Sequence, residues 1–115
     1  TLFLDVYSLS SFAQRQEQAS YEFRQLNGFW SAEDYYGFVN TFKYDVEKVV
    51  LDKFSLVEAD RSRVIYNWLQ YYSMDSLTRE FAENGFSIME RYADTTGTAY
   101  HPGSPEITLL AGKSA

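Results

Sequence analysis

Residues 73–113 constrain the fold more than any other stretch, because four structural signals follow one another there in a fixed order. They read SMDSLTREFAENGFSIMERYADTTGTAYHPGSPEITLLAGK. Ser73 is a good N-cap, and Asp75 falls in the first turn, where the helix dipole favours a negative charge. Leu77 and Phe81 follow at i,i+4 and give a short helix one apolar stripe. Asn84-Gly85 ends it: glycine takes the left-handed C′ position without a Cβ clash, and Phe86 can fold back onto the last turn. Two β-runs come next, residues 86–92 and 106–110. The loop between them is rich in turn residues: Gly97, Pro102, Gly103 and Pro105.

The rest of the chain is read in order. Residues 2–7, LFLDVY, form an apolar run broken by one acid, which suits a strand buried on both faces. Asp5 in that run is either a solvated strand end or a group pointing into a ligand crevice. Residues 10–26 have a helical composition of Gln, Glu, Arg and Ala, with Phe12, Ala19, Phe23 and Leu26 near one face, so a helix is expected there. Ser8, Ser10 and Ser11 are its candidate caps. Asn27-Gly28 ends it. Tyr36, Phe38, Asn40, Phe42 and Tyr44 then alternate with Gly37, Val39, Thr41 and Lys43, a period of two with one nearly all-aromatic face. Asp45-Val46-Glu47 turns the chain into residues 48–58, and Ala59-Asp60-Arg61 turns it again into residues 63–72. Short polar turns between three strands read as an antiparallel meander. Such a sheet, apolar on both faces, needs a covering layer: a flanking helix, another domain or a second copy. Where no N-terminal part covers them, its exposed edges and apolar faces predict dimerisation.

The 115 residues amount to one domain or less. Aromatics make up 18% of the chain, and they are expected as strand and core residues or as the lining of a cleft. A net charge of -6 without a basic cluster argues against a nucleic-acid partner. The absence of cysteine excludes disulfides and thiolate chemistry and suits a cytoplasmic protein. No apolar run approaches the roughly 20 residues of a membrane span. The chain enters a strand directly from Thr1, which points to a piece of a larger protein.

The chemical inventory is thin. One histidine, His101, rules out His-pair metal sites, and no zinc-spaced cluster, nucleophile elbow or phosphate loop occurs. Glu33-Asp34 and Glu58 with Asp60 fall in expected turns, where solvated acids are the default. His101, between Tyr100 and Pro102 in the long loop, is either solvated or a general base; imidazole titrates near neutrality. None of the six glycines forms the G-x-G of a nucleotide-binding loop.

Helix, ENGF turn, strand, long loop and a final strand ending LLAGK together resemble the C-terminal end of class I S-adenosylmethionine-dependent methyltransferases. The resemblance implies an α+β chain: a three-stranded antiparallel meander with flanking helices, plus the last strands of a Rossmann-like sheet. Residues 1–8 would be a strand of that sheet, 9–72 a helix and an antiparallel substrate-side insertion, and 73–115 the final helix and two strands. The last strand would enter antiparallel to its neighbours. The cofactor-binding half would precede Thr1, so these residues alone are expected to be inactive and not to bind S-adenosylmethionine.

The resemblance implies a small-molecule methyl acceptor bound by this segment. Its candidate contacts are Asp5 and Tyr7 at the strand end, Trp30, Tyr36 and Asn40 on the aromatic face, and Trp68 and Tyr71 on the third strand. An aromatic wall with one amide suits a flat or cationic acceptor. Each of these rings has core packing as its alternative role. A different class of function also fits: a non-catalytic, aromatic-rich ligand-binding or dimerisation module, or an acidic protein that masks a basic partner.

Overall fold

The structure is a computed structural model and describes residues 1–114. In chain order the elements are β1 (Leu2–Ser8), α1 (Leu9–Gln14), β2 (Gln18–Phe23), α2 (Gln25–Gly28) and β3 (Tyr35–Tyr44). They continue with β4 (Val49–Glu58), β5 (Ser62–Tyr72), α3 (Met74–Glu83), β6 (Phe86–Tyr92) and β7 (Glu106–Lys113). The fold is α+β, with strands dominating. The chain forms two compact units: one holds Thr1–Arg15 and the residues from Gln70 onward, the other Gln16–Leu69.

The first unit is built on a mixed sheet. β7 pairs antiparallel with β1 along its length (Leu2 opposite Ala111 through Tyr7 opposite Glu106) and antiparallel with β6 on its other side. The end of β5 joins β1 in parallel, with Tyr7 and Ser8 beside Tyr71 and Tyr72. Period-two alternation sorts the two faces. Leu4 and Val6 of β1, with Ile107 and Leu109 of β7, pack around Leu77 of α3, and Phe81 and Ile88 close the cluster. Full burial of a leucine such as Leu77 stabilises by about 1.5–3 kcal/mol.

Helix α3 begins where the sequence places it. Ser73 accepts from the Ser76 backbone N–H at 3.0 Å, and the Ser76 hydroxyl accepts from the Ser73 N–H at 3.0 Å, a reciprocal box closed by serine rather than glutamate. Gly85, at φ 82°, ends the helix, and Phe86 turns back to an edge contact with Phe81 at 6.3 Å.

In chain-wide order the strands form one seven-stranded sheet, β2-β3-β4-β5-β1-β7-β6, and the second unit holds its β2–β5 end. β2 pairs antiparallel with β3, β3 with β4, and β5 hydrogen-bonds beside β4. The helix expected over residues 10–26 is corrected: the helix ends with α1 at Gln14, Gln18–Phe23 is a strand, and the short α2 that follows is a left-handed turn. Ala19, Tyr21 and Phe23 lie opposite Asn40, Phe38 and Tyr36. That cross-strand pairing outweighs a helical composition whose apolar stripe is thin.

After β2 the backbone makes a left-handed turn: Arg24, Leu26, Asn27 and Gly28 all have positive φ, between 49° and 78°. Asn and Gly tolerate this region, whereas Arg24 and Leu26 cost about 1–2 kcal/mol each. Hydrogen bonds offset the cost. The Arg24 N–H donates to the Tyr35 carbonyl at 2.8 Å, the Tyr35 hydroxyl to the Gln25 carbonyl, and the Trp30 N–H to the Tyr35 hydroxyl at 3.4 Å. The turn tucks the Gln25 side chain against Gly37, where any Cβ would collide with it.

Candidate functional site

In the first unit a cavity of about 290 Å³ lies at the C-terminal end of β1, lined by Asp5, Val6, Tyr7, Gln70 and Glu106. Its position follows from register. Asp5 lies opposite Thr108 and Tyr7 opposite Glu106, so these side chains share one sheet face, the one turned away from the α3 core.

The rim is tied down by a serine. Ser8 donates its hydroxyl to the Ser104 carbonyl at 2.5 Å and accepts from the Ser11 N–H at 3.3 Å, while its own N–H donates to the Pro105 carbonyl at 3.0 Å. These bonds pin the loop before β7 to the end of β1, and Glu106 therefore stands beside Tyr7. Tyr7 stacks on Tyr71 at 5.5 Å; the buried Tyr71 ring meets Phe12 edge-on at 5.5 Å, and its hydroxyl accepts from Arg15 at 3.2 Å. The cavity thus presents two carboxylates, a phenol and an amide above a braced aromatic floor. Such a lining can orient a polar or cationic group and take a proton from it.

In the second unit, one face of the sheet carries Tyr21 and Phe23 of β2, and Tyr36, Phe38, Phe42 and Tyr44 of β3. Tyr66 and Trp68 of β5 join it: Trp68 lies 5.9 Å from Tyr44, and the Tyr66 ring lies 5.9 Å from the Lys53 ammonium. All eight rings are exposed, from 39% for Phe38 to 70% for Tyr21. Asn40 sits in their midst, opposite Lys53.

A second cavity, of about 330 Å³, opens among Phe23, Asp34, Tyr35, Tyr36, Val57, Glu58 and Ala59. Glu58 there is not a solvated turn acid. Its side chain is only 6% exposed, held by Arg61 at 2.5 Å and Arg63 at 2.9 Å. The Arg61 hydrogen bond, helped by Arg63 and opposed by desolvation, keeps the Glu58 carboxyl below the ordinary range. Arg63 also donates to the Trp30 carbonyl at 2.9 Å, so the trio ties β4 and β5 to the segment after α2.

The structure gathers Asp5, Tyr7 and Tyr71 at one place, and puts Tyr36, Asn40 and Trp68 on one sheet face. Trp30, expected on that face, is on the other. It packs on Phe54 at 5.0 Å and on Phe29 at 4.8 Å, because the left-handed turn carries it beneath the sheet. His101 lies exposed in the loop before β7 and does not line the β1-end cavity. Glu106 and Gln70 were missed by sequence reasoning. The available signal was an acid opening the last strand, whose partner only the register reveals. Among the described residues, no group of three or more acids or histidines is placed to hold a metal ion.

Comparison with solved structures adds to this. The chain is similar to the CcbJ methyltransferase from Streptomyces caelestis, with a TM-score of 0.66, 11% sequence identity, and coverage of 98% of this chain and 43% of that one. The chain therefore spans less than half the length of that protein. No protein-family model matches the sequence, and no curated protein matches it. The fold is methyltransferase-like. No helix among the described residues is long and apolar enough to cross a membrane.

Proposed function

We propose that these residues are the C-terminal, substrate-side part of a class I S-adenosylmethionine-dependent methyltransferase that acts on a small molecule in the cytoplasm. The observation that carries this reading is a methyltransferase-like fold with an acid- and tyrosine-lined cavity at the end of β1. The 115 residues contain no glycine-rich G-x-G loop, which supports a methyl donor held by other residues and an inactive segment on its own.

Methyl transfer is an in-line displacement: the acceptor's lone pair forms a bond to the methyl carbon as the carbon–sulfur bond breaks, and the acceptor loses a proton. S-adenosylmethionine supplies the electrophilic methyl group when bound. Positioning and desolvation contribute most of the acceleration. In this reading Asp5 accepts the acceptor's proton, Glu106 and Gln70 hold its polar groups, and Tyr7, braced by Tyr71, forms one wall. His101 lies outside that lining.

The test is turnover of the natural full-length protein with S-adenosylmethionine and a panel of small amines and hydroxyl compounds, read as S-adenosylhomocysteine release. Asp5→Asn should lower kcat by about 100-fold or more with the KM for the methyl donor unchanged. Unchanged kcat would remove Asp5 from the chemistry. A second reading, a non-catalytic binding or dimerisation module, is favoured by the exposed aromatic face; for it no panel member would release S-adenosylhomocysteine.

A further inference from the structure

The eight-ring face of the second unit is too apolar and too regular to be ordinary surface. Isolated exposed rings are common, but soluble monomers rarely expose contiguous apolar patches beyond a few hundred Å². Four strands about 4.8 Å apart, of six to eleven residues at about 3.3 Å each, span roughly 500–600 Å² in plan. Side-chain relief raises the accessible area further. A specific interface needs roughly 600–1,000 Å² per partner.

Charge points to the identity of the partner. The chain carries sixteen acidic residues, yet no strand residue on this face is one of them. In a molecule of net charge -6, that is the surface on which two copies meet without carboxylate repulsion. Lys53 is the only charge among the strand residues of the face. It already lies over Tyr66 at 5.9 Å, and the rings of a second copy can hold its ammonium in the same way. Flat twisted sheets are self-complementary: two identical faces stack about 10 Å apart with aligned strands, as the halves of a β-sandwich do.

We infer that this face is the isologous interface of a homodimer, with Phe38, Phe42, Tyr44, Tyr66 and Trp68 of each copy packed on those of the other. A two-fold axis through such a face closes the assembly at two copies. The rings serve association. The inference does not depend on the methyl-transfer reading.

Sedimentation equilibrium of the protein from about 1 to about 200 µM, in low and high salt, tests it. The expected result is a mass of twice the chain, retained in high salt because apolar burial, unlike ion pairing, is not screened. Phe38→Glu and Trp68→Glu, each placing an acid in the face, should weaken association by roughly 30-fold or more while the far-ultraviolet circular dichroism stays unchanged. Phe29→Glu, at an exposed ring off this face, should leave the dimer intact. A wild-type monomer at the highest concentration would overturn the inference, as would a dimer that survives both substitutions. Flotation of a wild-type monomer with phosphatidylcholine vesicles, abolished by Trp68→Glu, would assign the face to lipid and overturn it too.

Discussion

The two units use the same device, a sheet buried on one face, and leave very different surfaces open. In the first, α3 covers Leu4, Val6, Ile107 and Leu109, and the open face carries Asp5, Tyr7 and Glu106 beside a cavity. In the second, a strained turn rather than a long helix covers part of the sheet, and the open face is a field of rings. Hydropathy alone does not decide which side is buried. In β3 the buried residues include Gly37 and Thr41, while Tyr36, Phe38, Phe42 and Tyr44 are exposed. What decides is what lies against each face: the turn, held by the Tyr35 hydroxyl donating to the Gln25 carbonyl, sets the Gln25 side chain over Gly37, and on that same face Thr41 donates to Asp52 at 2.7 Å.

Five substitutions and one titration would break or sharpen that contrast. The largest loss is expected from Leu109→Ala in the first unit and Leu56→Ala in the second, both fully buried: about 2–5 kcal/mol each by urea unfolding. Equal losses would show that the short turn seals its sheet as well as α3 seals the other; a much smaller loss at Leu56 would show that it does not. Next come Ser8→Ala, which strips the Ser104 carbonyl of its buried donor, and Gly37→Ala, which drives a Cβ into Gln25. Each should cost about 1–3 kcal/mol.

A smaller effect is expected on the open face. Phe42→Ser, measured under conditions that keep the protein monomeric, should change stability by no more than about 0.5 kcal/mol. A loss as large as that at Leu56 would place the rings in a core and end the interface reading.

The smallest effect is electrostatic. Asp94 accepts from Thr96 and Thr98, with the Thr96 hydroxyl bond contributing most, and its carboxyl is held down to about 2. A carboxylate depressed on folding stabilises above its unfolded value and loses that contribution as pH falls through the folded one. The loop contribution should therefore be intact above about pH 4 and fade toward pH 2. An Asp94 titration by NMR with a midpoint near 4 would contradict the hydrogen-bonded turn.

The sequence exposes what local chemistry determines. The Ser73 cap, the Leu77–Phe81 stripe, the Asn84-Gly85 stop and the returning Phe86 all stand as their residue types dictate. So do the alternation of β3 and the turns at residues 45–47 and 59–61, the first of them one residue longer than expected because β4 begins at Val49. Features determined by distant partners are hidden. Gln18–Phe23 looks helical until β3 lies beside it. Trp30 looks like part of the aromatic face until positive φ at Leu26 and Asn27 turns the chain under the sheet. Asp5 and Tyr7 are visible as the end of an apolar run, but Glu106, about a hundred residues away, joins them only through antiparallel register. Glu58 looks solvated because its two arginines sit across a turn.

Binding of S-adenosylhomocysteine, followed by titration calorimetry, tests the methyl-transfer reading most directly because it requires no knowledge of the acceptor. The natural full-length protein should bind it with a micromolar Kd, and these 115 residues alone should not bind it. Micromolar binding by the 115 residues alone, or none by the full-length protein, would contradict the account.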